Sequence, residues 1–367
     1  MLAAERTSGN RTHALRKDPV KRASIPAVAA GMQRRGLADR ELWWRYCRRM
    51  SSRADASPPS MENSWYAVVL NWNGREDTLE CLESLTRVDC PDMSIVCVDN
   101  GSHDGSPAAI RERFPGVVLI ESGANLGYAG GNNLGLRYAL DHGATWIALV
   151  NNDATVAEDV ISGFEQTARA HPGAGILAGK VYFADRPTTI WFAGQRVSEL
   201  VGYSGRPRGY GRPDGPRYEV ARPTDRAVGA LMAVSRELAE SVGLLDEDLF
   251  AYVEDVDWAL RARSGGFEII FAPGARAWHH VSASTGGEAA STHTLYYGVR
   301  NTVTVLERRR PLGAIATALR RASILATFSL HALTRADRGA AIAAVRSGFD
   351  DASRGRLGSR EAASSSG

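Results

Sequence analysis

Between residues 65 and 153, short apolar runs alternate with segments of helical period, and this alternation limits the chain to very few folds. Residues 66–72 (YAVVLNW), 94–99 (SIVCVD), 117–121 (VVLIE) and 146–150 (WIALV) are nearly unbroken in apolar, largely β-branched side chains. Runs that short and that apolar are strands covered on both faces. Between them, residues 76–85 place Leu79, Leu82 and Leu85 on one helical face, and residues 106–114 and 129–141 read as two further helices. Strand–helix alternation of this kind predicts a parallel sheet with helices on both sides. After Asp153 the pattern loosens. Residues 203–223, rich in Gly, Pro and Arg, predict a mobile loop. Residues 228–234, a helix around 255–263 and a strand at 268–271 then restore order.

The 367 residues, 44% hydrophobic, suffice for one large core with flanking segments. Net charge is +3 but unevenly spread. Residues 1–60 carry thirteen Lys/Arg and five Asp/Glu, a balance of +8; residues 307–367 carry eleven Arg and five Asp/Glu, a balance of +6; this leaves −11 for residues 61–306. An acidic middle between basic ends excludes a nucleic-acid-binding core and suits disordered ends or an anionic membrane surface. The four cysteines, Cys47, Cys81, Cys90 and Cys97, have neither CxxC spacing nor a His cluster, so a cytoplasmic, reducing compartment is expected. No apolar run of signal-peptide length precedes Ser60. Residues 1–62 read as a basic, largely disordered tail, with a short helix at 37–50 and a linker at 51–60.

In open α/β sheets, ligands bind at the carboxyl ends of the strands. Three of the four strands end in polar turn residues: Asn71-Trp72-Asn73-Gly74, Asp99-Asn100-Gly101-Ser102 and Asn151-Asn152-Asp153. Asp99 is placed either to accept the N–H of a pyrimidine ring or to close a turn in which Asp104 or Ser106 caps the next helix. In Asn125-Leu126-Gly127-Tyr128-Ala129-Gly130-Gly131-Asn132-Asn133, glycines open a helix and could aim free amides at a diphosphate, or serve only a tight turn. The dinucleotide order GxGxxG is absent. Asp153 is a candidate ligand for Mg²⁺ or Mn²⁺, or else the N-cap of a helix at 156–168. Glu254, Asp255 and Asp257 lie among Phe250, Tyr252 and Trp258. Desolvation and mutual repulsion there raise at least one pKa, as a general base requires. Trp278-His279-His280 offers a histidine to the same cation.

Taken together, VVLNWNG, VDNGSHDGS, NLGYAGGNN, NND, EDVDWALRAR, AWHHVSASTGG and YYGVRN resemble glycosyltransferase family 2, and within it the rhamnosyltransferase-like bacterial members. The resemblance covers residues 66–301. It implies a GT-A type α/β fold, a mostly parallel central sheet flanked by helices, occupying residues 63–306. It also implies a nucleotide-diphosphate sugar donor and a divalent cation, Mn²⁺ or Mg²⁺. On that resemblance Asn71, Asn73, Asp99, Asn100, Gly127, Gly131, Asn132 and Asn152 line the nucleotide-sugar site. Asp153 and His279 hold the metal, with His280 one residue away from the same role. Asp255 is the catalytic base, with Glu254 beside it. Asn151 departs from the family's Asp-x-Asp motif and leaves Asp153 as its carboxylate. The implied reaction is an inverting transfer of L-rhamnose or a related hexose from a dTDP- or UDP-sugar to a hydroxyl of a glycan or lipid-linked acceptor. Other sugars, a catalytically silent sugar-nucleotide-binding scaffold and a nucleotidyltransferase are the competing readings.

Residues 307–350 read as an amphipathic helical extension and 351–367 as a disordered tail. The longest uncharged stretch, 322–334, falls short of the roughly 20 residues that span a bilayer. A helix lying at the inner face of the cell membrane or packing against a second copy in a homodimer is expected instead.

Overall fold

The computed structural model describes residues 64–197, 206–280 and 292–360. The expected tail and its helix, Cys47, residues 203–205, the VSASTGG segment and residues 361–367 lie outside the described residues.

The alternation is realised as β1 (Trp65–Asn71), α1 (Arg75–Thr86), β2 (Ser94–Asp99), α2 (Ser106–Arg113), β3 (Val118–Glu121), α3 (Gly127–Asp141) and β4 (Trp146–Asn151). Then follow β5 (Ala154–Val156), α4 (Val160–Ala170), β6 (Ala174–Phe183), β7 (Arg186–Phe192), β8 (Arg212–Pro213), β9 (Arg222–Pro223) and β10 (Leu231–Ser235). The chain continues through α5 (Arg236–Val242), α6 (Glu254–Ser264), β11 (Glu268–His279), α7 (Thr292–Arg309), α8 (Ala314–Leu333) and α9 (Arg338–Ser353).

These strands form one sheet in the order β3-β2-β1-β4-β10-β6-β11-β5. The first four are parallel, as the apolar runs imply. The sheet as a whole is mixed, because β10 runs antiparallel to both β4 and β6, and β5 antiparallel to β11. The missed β6 (AGILAGKVYF) is buried at every position and shows no period-2 alternation. Its core lysine also disguises it: Lys180 is buried, with its Nζ 3.0 Å from Asp214 and paired with Glu219. That pair ties residues 206–223 to the sheet, so this part of the expected mobile loop is anchored.

Register sets the site. Asn71 lies opposite Asp99, and Leu70 opposite Asn151, so the three polar strand ends finish side by side. Val68, Val69, Val96, Val98 and Leu149 beneath them are fully buried, each worth roughly 1.5–3 kcal/mol.

A second apolar cluster joins α7, α8 and α9 to Leu249, Val256 and Leu260. The expected boundary at 306/307 therefore falls inside α7, and the C-terminal helices pack on the loop and helix that carry the acidic motif. Asp257, fully buried, bonds Arg261 of its own helix and Arg309 of α7, each at 2.7 Å. The expected disordered tail from 351 also differs: α9 runs to Ser353, and the Gly358 amide donates to Asp248 O at 2.8 Å.

Candidate active site

The site starts from a chain of side-chain hydrogen bonds across the strand ends. Asn71 Nδ2 donates to Asp99 Oδ1 at 2.8 Å. Asn71 Oδ1 accepts from Thr78 Oγ1 at 2.8 Å, and Thr78 Oγ1 accepts from Asn152 Nδ2 at 3.0 Å. The Ser102 amide donates to the other oxygen of Asp99 at 3.0 Å. Asn71, Thr78 and Asp99 are all buried. Asp99 and the Asn151-Asn152-Asp153 segment are thus joined through one buried polar network. Asn73, in the left-handed conformation that asparagine tolerates (φ 53°), bonds the His103 amide at 2.8 Å and braces the rim.

Asp153 is not a helix cap. It precedes β5, whose antiparallel pairing with β11 sets Ala154 opposite His279. A separation of 126 residues closes to 3.0 Å between His279 Nε2 and Asp153 Oδ1, both side chains buried. His280 points elsewhere, with 41% of its side chain exposed and Glu80 4.0 Å away, so His279 is the histidine brought to Asp153. Trp191 stacks edge-on against it, ring centroids 4.9 Å apart.

This pair suits a hard divalent cation. At 3.0 Å, a hydrogen-bond distance, the pair sets a carboxylate oxygen and an imidazole nitrogen side by side, donor types that a divalent cation such as Mg²⁺ or Mn²⁺ accepts. His279 Nδ1 is buried with no hydrogen-bond partner among the described residues, so the ring's polar capacity is not used up by the protein. No third His, Cys, Asp or Glu joins the pair among the described residues. Mg²⁺-type sites commonly take one or two protein ligands and complete the shell with substrate phosphates and water.

The acidic motif approaches from the other side. Asp255 Oδ2 accepts from Arg226 Nη2 at 2.8 Å, and 10% of the Asp255 side chain stays open to solvent. Glu254 is buried, and its Oε2 has no partner among the described residues. Burial, and then the charge of Asp255, push the Glu254 carboxyl up to about 8. The sequence expectation of a raised acid in this motif therefore falls on Glu254. Tyr128 links the two halves. Its hydroxyl donates to Asn151 Oδ1 at 3.3 Å. Burial raises the phenol well above its ordinary value, and the charges of Glu254, Asp255 and Asp153 raise it further.

The glycine-rich segment differs from its expected role as a diphosphate cradle. A Cβ on Gly131 would lie 2.4 Å from Leu70 Cδ1, and one on Gly127 (φ +74°) 2.4 Å from Phe250 O. These glycines let α3 press onto β1 and onto the loop before the acidic motif. The first-turn amides are engaged too: Gly127 N donates to Asn125 Oδ1 and Ala129 N to Phe250 O. Asn100 bonds Asn125, Leu126 and Gly127, while Asn132 bonds the Tyr128 carbonyl of its own helix at 2.9 Å. Asn100 and Asn132 therefore shape this loop from within.

The loop leading into α6 is strained. Phe250 (φ 64°, ψ −66°) centres a γ-turn closed by Ala251 N donating to Leu249 O at 2.7 Å, and Tyr252 and Val253 follow at φ 67° and 71°. A left-handed L-residue costs roughly 1–2 kcal/mol, and a β-branched one is a genuine outlier.

Sequence reasoning left Thr78, Tyr128 and Arg226 unassigned. Tyr128 lies within a quoted motif. Thr78 sits one turn into α1, and Arg226 just before an apolar strand at the rim, positions that a search for acids and glycines passes over.

Residues 66–239 match the family model described as Glycosyl transferase family 2. The N-acetylglucosaminyl-diphospho-decaprenol L-rhamnosyltransferase of Mycobacterium tuberculosis (strain ATCC 25618 / H37Rv) is 31% identical over 217 residues, spanning 54% of this chain and 70% of that protein. The dTDP-rhamnosyl transferase RfbF of Shigella flexneri is 25% identical over 257 residues, spanning 68% of this chain and 81% of that one. Among solved structures, the mannosyltransferase PcManGT from Pyrobaculum calidifontis in complex with GDP-Man and Mn²⁺ aligns with TM-score 0.49 and 21% identity, over 89% of this chain and 85% of that one.

Proposed function

The chain belongs to glycosyl transferase family 2 and is a glycosyltransferase that moves a sugar from a nucleotide sugar; on that premise we propose that it transfers L-rhamnose or a related hexose, with inversion, from a dTDP- or UDP-linked donor to a hydroxyl of a glycan or lipid-linked acceptor. The names of the two relatives above support the sugar, the first also supports a lipid-diphosphate acceptor, and the second supports the dTDP donor.

One observation carries the assignment of roles. Asp153 and the Glu254–Asp255 motif, distant from each other in sequence, both lie near the Tyr128 hydroxyl, which bonds Asn151, while Asp99 connects to Asn152 through buried side chains. Asn71, Asp99 and Asn152 form the floor against which the nucleotide lies, with Asn73 bracing its rim. Asp153 and His279 would hold a divalent cation, Mn²⁺ or Mg²⁺. Such an ion supplies Lewis-acid stabilisation of charge on a departing diphosphate. The Glu254 carboxyl is buried and pushed up to about 8, while Asp255 is the member of the pair whose carboxylate is partly open to an acceptor. Arg226 fixes the Asp255 carboxylate while leaving part of it open to an acceptor. The acceptor oxygen gives its proton to Asp255 and bonds to the anomeric carbon as the bond from that carbon to the diphosphate oxygen breaks on the opposite face.

A general base contributes about 100- to 10,000-fold. Asp255→Ala should lose that factor in turnover of dTDP-rhamnose or another nucleotide sugar, followed by mass spectrometry, while donor affinity changes little. Full turnover in the purified variant removes Asp255 from the role.

The exposed side of α8 supports peripheral attachment at the membrane where a lipid-linked acceptor would lie. Ile315, Leu319 and Leu330 are 81%, 68% and 64% exposed, on an otherwise uncharged face that also carries Ala322 and Ala326. No helix among the described residues is long and apolar enough to cross a membrane.

A further inference from the structure

The YYGVRN segment of α7 has no part in the roles assigned above, yet Arg300 and Asn301 are fully buried polar side chains aimed at the loop before the acidic motif. Asn301 Nδ2 faces three carbonyls of that loop: Leu249 O at 2.9 Å, Ala251 O at 2.8 Å and Tyr252 O at 2.7 Å. Its Oδ1 accepts from Arg300 Nε at 2.8 Å, and Arg300 Nη2 adds a second bond to Leu249 O at 2.9 Å. Arg300 Nη1 reaches back to Gly358 O at 2.7 Å, while the Gly358 amide donates to Asp248 O at 2.8 Å. The carbonyls so engaged bracket the three residues in unfavourable backbone conformations, Phe250, Tyr252 and Val253. Glu254 and Asp255 follow at once, and Asp257 N donates to Val253 O at 2.9 Å, so any shift of Val253 moves the first turn of α6.

We propose that Asn301, oriented by Arg300 and by the C-terminal residues around Gly358, is a positioning residue that holds the 249–253 loop in its strained form and thereby sets the place of Asp255. Strained backbone persists only where its surroundings over-determine it. Beyond the γ-turn bond, residue type does not do so here: none of these three residues is glycine, and one is β-branched. The required group is an amide, because convergent buried carbonyls need donors. A carboxylate of the same shape would set acceptor against acceptor. Asn301 touches neither acid, so its effect on the reaction passes through backbone geometry. The C-terminal helices thereby become part of the catalytic framework.

The catalytic half of this inference rests on the glycosyl-transfer reading; the structural half does not. The test uses the full chain with Asn301→Ala and Asn301→Asp, each alone and combined with Val253→Gly. Hydrogen exchange of peptides covering 247–257 should speed up at least tenfold in both single variants, while peptides of β1, β2 and β4 stay unchanged. Turnover of the nucleotide sugar that the wild type uses should fall about 100-fold, the scale of a misplacement near 1 Å. Donor affinity by calorimetry should stay within about threefold, because the Asn71–Asp99 network does not touch the loop. Val253→Gly admits the left-handed conformation without a Cβ and should restore at least tenfold of the lost turnover. Unchanged exchange at 247–257, exchange that rises everywhere, donor affinity that falls in step with turnover, or no rescue by Val253→Gly would each overturn the proposal. If the wild type turns over no nucleotide sugar, the transfer reading fails, and the exchange data still decide whether Asn301 holds the loop.

Discussion

The Glu254→Gln substitution tests the electrostatics of the acidic motif without altering its shape. The carboxyl has an ordinary value of 4.5 and is pushed up to about 8, first by burial and second by the charge of Asp255. At about 1.4 kcal/mol per pKa unit, that difference corresponds to on the order of 3–5 kcal/mol. The sign follows from proton counting. Between 4.5 and about 8 the native state keeps a proton that the unfolded chain has released. Stability therefore falls as pH rises through this window, and the loss is complete above the folded value. The side-chain amide introduced by Glu254→Gln exchanges no proton, so the variant lacks this slope. Urea unfolding of both proteins from about pH 5 to about pH 9 should show the variant gaining on the wild type by a few kcal/mol as pH rises. Parallel curves would refute a raised Glu254 carboxyl.

Two further outcomes follow from packing. Gly127→Ala forces a Cβ to within 2.4 Å of Phe250 O at a positive φ. It should cost about 2–4 kcal/mol in chemical unfolding and lower turnover by displacing the loop before Asp255. Paired Ile315→Glu and Leu319→Glu substitutions should abolish flotation with anionic phospholipid vesicles while leaving thermal stability unchanged. Flotation equal to wild type would remove the membrane assignment, and a change in oligomeric state would point to a second copy on that face.

The first half of the fold was legible because its information is local. Strands β1, β2 and β4 are apolar runs ending in Asn or Asp, and a parallel register alone brings Asn71, Asp99 and Asn151 together. The pairing of His279 with Asp153 was suggested by family resemblance and is produced by a β5–β11 contact that no local pattern announces. β6 was hidden by its lysine, whose partners Asp214 and Glu219 lie more than thirty residues downstream. The glycines of α3 were read as open to a ligand. They are instead filled by Leu70 and Phe250, because which surface a glycine faces depends on packing, and packing is not local. Arg226 and Asn301 act on Asp255 and on the loop before it from 29 and about 50 residues away, and neither belongs to the residue types that a search for acids selects.

In the proposed site, Asp153 and His279 would meet a donor's diphosphate across a metal ion while Asp99 would meet its base. Calorimetric titration of dTDP or UDP into the wild-type protein with Mn²⁺, and again with chelator, tests this directly. Binding that weakens at least about tenfold without the ion, and loses that difference in Asp153→Ala, is the predicted result. Binding indifferent to the metal, or a metal effect that survives Asp153→Ala, would contradict it.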